Sequence, residues 1–114
     1  MNGHADVAKL LLDAGADPNI ANIARGTPLH SAALHGHMDI IKLLLNRGAD
    51  SDKANNYGYT PLHWAAMEGH TDVVTLLLQA GASPTAGNQD GGTPLNLAIT
   101  WGHKEIVAIL NNVG

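Results

Sequence analysis

Apolar positions along the chain fall into one recurring pattern. Between residues 60 and 81, Thr60-Pro61 is followed by Leu62, Ala65 and Ala66, a small-residue stripe at helical spacing. Threonine is a side-chain acceptor suited to a helix N-cap, and proline suits the first turn. The pattern therefore predicts a helix from Pro61 to about Glu68, stopped by Gly69. A second helix is predicted to begin near Thr71, with Asp72 in its first turn and Val73, Val74, Leu76, Leu77 and Leu78 as a wide apolar face. Gly81 is placed to be its left-handed C-terminal cap. Residues 82–92 hold Pro, Asn and Gly but no helical period, so they read as an extended loop or hairpin leading to the next Thr-Pro-Leu.

The same pattern returns along the chain. Gly3, Gly36, Gly69 and Gly102 are 33 residues apart, and each is followed by histidine: His4, His37, His70 and His103. Gly15, Gly48, Gly81 and Gly114 keep the interval, as do Thr-Pro-Leu at Thr27, Thr60 and Thr93 and Leu-Leu-Leu beginning at Leu10, Leu43 and Leu76. A period of this length marks a solenoid, in which each unit buries its apolar face by stacking on its neighbours.

These residues resemble the ankyrin repeat. The likeness is carried by Gly58-Tyr59-Thr60-Pro61-Leu62-His63-Trp64-Ala65-Ala66, then Gly69-His70, Val73-Val74, the leucine triplet and Gly81-Ala82. It covers the whole chain as one domain: a partial repeat over residues 1–23, complete repeats over 24–56 and 57–89, and a terminal repeat over 90–114. The first unit lacks its capped helix. The last departs from the pattern, with Asn96 where His30 and His63 stand, Ile99 in place of the second alanine, and polar Asn111 and Asn112, as in a terminal unit adapted to water. The resemblance implies an all-α, right-handed solenoid of stacked antiparallel helix pairs with β-hairpin-like finger loops.

Composition narrows the function. Six Lys+Arg against ten Asp+Glu give a net charge of −4, without the basic surplus that nucleic acid or an anionic membrane requires. No cysteine is present, which excludes disulfides, thiolate metal sites and a thiol nucleophile. No apolar run reaches the roughly 20 residues of a membrane span, and the N-terminus does not read as a signal peptide. An intracellular, cytoplasmic protein is expected.

Seven histidines invite a metal or small-ligand site, with His35-Gly36-His37 the tightest pair. Four of the seven form one column, however, and successive units should lie roughly 8–10 Å apart, far beyond a zinc–nitrogen bond of about 2 Å. For His30 and His63 the resemblance implies a structural imidazole hydrogen-bonded near the loop. His35 breaks the columns and is read as facing solvent or a partner. Asp6, Asp39, Asp72 and Glu105 repeat in the first turn of each second helix, where the macrodipole favours a carboxylate. No phosphate loop, nucleophile elbow or isolated carboxylate pair breaks the period, so neither catalysis nor a cofactor is expected. Asn19, in a loop, is read as a turn residue.

The aromatic residues do break the period. Tyr57, Tyr59, Trp64 and Trp101 fall outside the apolar columns. Trp64 and Glu68, Ser31 and His35, and Leu97 and Trp101 are each four apart and share a helical face. The resemblance implies that this face lines a concave groove and that Tyr57 and Tyr59 stand on a finger. Leu34 and Met67 adjoin the stripe, and Arg25 and Asp90 lie in the loops entering the first and third Thr-Pro-Leu. These residues form the candidate partner-binding set of a non-catalytic protein-recognition module. The alternatives are a spacer cut from a longer array and a histidine-based metal or small-ligand site. Self-association through the open N-terminal end, over Val7, Leu10, Leu11 and Leu12, is a further expectation, since about 25 cal/mol per Å² favours covering apolar surface.

Overall fold

Each Thr-Pro-Leu starts a helix, and in a computed structural model of the chain, which describes residues 27–113, three helix pairs follow one another. They are α1 (Pro28–His35) with α2 (Met38–Asn46), α3 (Pro61–Glu68) with α4 (Thr71–Gln79), and α5 (Pro94–Thr100) with α6 (Lys104–Val113). Among the described residues there are six helices and no strand. The partial repeat over residues 1–23, with the apolar end expected to self-associate and Asn19, lies outside the described residues, as does Arg25.

The helices begin and end where the local chemistry dictates. Thr60 is extended (φ −93°, ψ 167°), and its hydroxyl accepts from the His63 amide. Asp72 and Glu105 occupy first turns. At the end of α4, Gly81 takes a left-handed φ of 96°, its amide bonds Leu78 O at 3.1 Å, and the Ala82 amide bonds Leu77 O at 3.0 Å. That pair of bonds satisfies carbonyls the helix would otherwise leave open.

α3 packs against both α1 and α5, and α4 against both α2 and α6, so the pairs stack as an inner and an outer row of helices. Between the rows lies one core: Leu29, Leu62, Ala33, Ala66, Ile41, Val74, Leu44, Leu77, Ala98 and Ile106, all buried. The paired alanines bring the inner helices together, while Leu44, Leu77 and Leu110 fill the outer row. In the last unit Ile99, at the position of Ala33 and Ala66, is 58% exposed, and Asn111 and Asn112 are exposed as the sequence predicts.

Stacking is fixed by two histidine columns. His30 Nδ1 accepts the Thr27 amide at 3.0 Å, and His63 Nδ1 accepts the Thr60 amide at 3.0 Å. A ring whose Nδ1 accepts carries its proton on Nε2. Those nitrogens donate to the following loop, His30 to Tyr59 O at 2.7 Å and His63 to Gly92 O at 2.9 Å. Burial pushes both imidazoles below their usual pKa, against the opposing pull of these backbone carbonyls. In the second column His70 Nε2 lies 2.9 Å from Leu34 O, and His103 Nε2 lies 2.9 Å from Met67 O. Each ring covers a left-handed glycine of the preceding unit: a Cβ on Gly36 would come within 2.7 Å of His70, and one on Gly69 within 2.6 Å of His103.

Candidate functional site

The loops between pairs are built on asparagine. Asn55 Oδ1 accepts the amides of Tyr57 (2.9 Å) and Tyr59 (3.0 Å), and its own amide donates to Tyr59 O at 2.9 Å. Asn88 does the same one period later, accepting from Asp90 at 2.9 Å and Gly92 at 2.8 Å and donating to Gly92 O at 2.9 Å. Each tip is thus a side-chain-closed turn of the kind short polar residues favour. Neighbouring fingers are joined through Gln89, whose amide donates to Tyr57 O and whose Nε2 donates to Asn56 O, both at 3.0 Å, and through the Ser83 amide on Asp52 Oδ1 at 2.7 Å. Sequence reasoning overlooked these asparagines, although Asn22, Asn55 and Asn88 are 33 apart.

A finger held in this way presents its tyrosines to the inner helices. Tyr59 stacks on Trp64 with ring centroids 4.9 Å apart and planes 25° apart, and its ring also lies 5.5 Å from His63. Between α1, α3 and this finger runs a groove of about 580 Å³, lined by Ser31, Leu34, His35, Tyr57, Tyr59 and Trp64 together with His30 and Asn55. Six of the predicted set therefore surround one groove. Met67, Glu68, Leu97, Trp101 and Asp90 do not line it; Met67 and Leu97 are half-buried on α3 and α5, and Glu68, Asp90 and Trp101 are exposed. His35, which breaks the columns, is exposed at the groove's edge, its ring 5.8 Å from that of His37.

Trp64 does more than line the groove: it is half-buried and also packs against the core. The reason is that inner helices approach closely over alanines, so a ring on their open face also leans on the apolar layer beneath. Trp101, at 61% exposed, stands clear of that layer.

The aromatic wall of this groove does not follow the repeat. Two smaller clefts of about 330 Å³, one lined by Gly36, Gly69 and His70 and the other by Gly69, Gly102 and His103, recur with the period and belong to the scaffold. The equivalents of Trp64 are Ser31 and Leu97, and those of Tyr59 are Gly26 and Gly92, so the aromatic wall occurs once in the sequence. The residues lining the groove carry no formal charge when histidine is neutral. Among the described residues, no group of three or more His, Asp or Glu converges as a metal's donor set, and no helix is long and apolar enough to cross a membrane.

No curated protein shows significant similarity to the chain. The family model for ankyrin repeats, in three copies, matches residues 1–88. The helix pairs, the Thr-Pro-Leu-His caps and the stacked histidine columns agree with that match, and ankyrin repeats are in general protein–protein interaction modules. The chain belongs to the ankyrin repeat family.

Proposed function

We propose that the protein is a non-catalytic recognition module that seats part of a partner protein in the groove between α1, α3 and the Tyr57–Tyr59 finger. The observation that carries this reading is the groove itself: an uncharged concavity with aromatic walls at a position where the repeat pattern does not call for aromatics. A site of this kind takes a large side chain from a partner and excludes water around it. Leu34, Tyr57 and Trp64 supply apolar contact, and Ser31 and His35 supply hydrogen-bonding groups at the edge. Trp101, Leu97 and Met67 extend the same face along α3 and α5, and Asp90 stands on the next finger.

Affinity capture with the wild-type chain and with Tyr57→Ala and Trp101→Ala tests this reading. Both side chains are more than half exposed, so both variants are expected to keep the wild-type melting temperature within a few degrees while the captured partner binds about 1–2 kcal/mol more weakly. Partners retained undiminished by both Tyr57→Ala and Trp101→Ala would move the interaction off this face.

A further inference from the structure

The acids of the described helices fall into two kinds. Asp39, Asp72 and Glu105 sit in the first turns of α2, α4 and α6, where the helix dipole stabilises a carboxylate. Glu68 is the last residue of α3, at the end where the dipole disfavours one. Helix capping therefore does not explain it. The three inner helices α1, α3 and α5 contain one formally charged residue among them, and it is Glu68. The outer helices, by contrast, carry Asp39, Lys42, Asp72, Lys104 and Glu105.

Its position is central. α3 is the middle inner helix, packed between α1 and α5, and Glu68 lies one helical turn beyond Trp64 on the same face. Its column neighbours in the flanking units are His35, at the groove's edge, and Trp101, 61% exposed. Among the described residues, the inner-helix face thus presents one exposed carboxylate amid aromatic and apolar side chains, on a chain of net charge −4.

We propose that the occupant of the groove is a protein segment in which a lysine or arginine stands beside a large apolar side chain. The apolar side chain enters the groove against Trp64 and Tyr59, and the cation pairs with Glu68. This rests on the groove reading above and adds the chemistry of the partner. A single acid on the otherwise uncharged face of the inner helices selects by charge complementarity, because an acidic segment would meet repulsion there and a purely apolar one would leave the carboxylate desolvated without a partner.

The test is selection of a displayed random peptide library of about 12 residues on the intact chain, followed by fluorescence anisotropy with the enriched peptides at about 0.15 M salt. Enriched sequences are expected to share a basic residue next to Leu, Met or an aromatic. Glu68→Gln, an exposed isosteric change, is expected to weaken them about two- to five-fold and to flatten their salt dependence. Selection repeated on Glu68→Lys is expected to exchange the base for an acid. Enriched peptides without a basic preference, or with affinities that Glu68→Gln leaves unchanged, overturn the proposed chemistry; if Tyr57→Ala still abolishes them, the groove reading stands. Peptides indifferent to Tyr57→Ala overturn the groove reading as well. A library that enriches nothing above an unrelated control protein overturns the proposal of a linear segment as occupant.

Discussion

Replacing His63 by asparagine separates two tasks that the imidazole performs at once. Its Nδ1 caps α3 by accepting the Thr60 amide, and its Nε2 reaches the next loop at Gly92 O, 2.9 Å away. The last unit shows the substitution already made. Asn96 Oδ1 accepts the Thr93 amide at 3.0 Å, while the Asn96 amide donates to Thr93 Oγ1 at 3.2 Å, so asparagine reproduces the cap. Its side chain is too short to replace the bond to the following loop. His63→Asn is therefore expected to cost the inter-unit hydrogen bond and part of the desolvation of the Gly92 carbonyl, about 1–3 kcal/mol. His63→Ala loses the cap as well and leaves a larger void, for about 2–5 kcal/mol in total. Urea unfolding followed by circular dichroism gives both values. A pH series adds an independent check. Burial lowers the pKa of His30 and His63 in the fold, so below the unfolded value of about 6.5 the unfolded chain binds protons that the folded chain refuses. Their neutral form supports full stability above about pH 6.5, and stability falls as pH drops from there towards the folded pKa values, by at most about 1.4 kcal/mol per pH unit for each histidine. His63→Asn should remove its share of that slope and leave the share of His30. Equal destabilisation by the asparagine and alanine variants, or a wild-type stability that does not fall between pH 7 and 5.5, would refute this account of the column.

Leu77→Ala is expected to cost about 2–5 kcal/mol of stability, because Leu77 is fully buried, while the folded fraction keeps its affinity for any partner of the inner face; thermal melting and a binding titration of the same sample check both. Gly69→Ala and Gly102→Ala form a matched pair: both glycines are left-handed, at φ 78° and 74°, but a Cβ on Gly69 meets the His103 ring at 2.6 Å, whereas one on Gly102 meets nothing within 4 Å. The backbone penalty of about 1–2 kcal/mol should appear in both variants and a further cost of about 1–3 kcal/mol in Gly69→Ala alone, as read from urea midpoints. Trp64→Ala should lose both binding and about 1–3 kcal/mol of stability, since the ring leans on the core; an unchanged melting temperature would contradict that packing.

Periodicity made most of the fold legible in the amino-acid sequence. A 33-residue interval with threonine, proline, glycine and leucine at fixed offsets fixes helix starts, helix stops and the apolar faces, because capping and turn chemistry act over a few residues and need no distant partner. Pro61–Glu68 and Thr71–Gln79 appear where the pattern put them for that reason. The aromatic residues could be recognised as exceptions to the period, but their arrangement could not be read from spacing. Whether Tyr59 covers its own loop or reaches Trp64 depends on how Asn55 closes the finger and on where α3 lies beneath it, and both are settled by packing between segments. The same holds for His63, whose cap is local and whose second bond crosses 29 residues to Gly92, and for Gly69, whose need for a bare backbone comes partly from a histidine in the next unit. Local chemistry decided the elements; contacts one repeat away decided the groove, because a solenoid builds its surfaces from residues that meet only after neighbouring units have stacked.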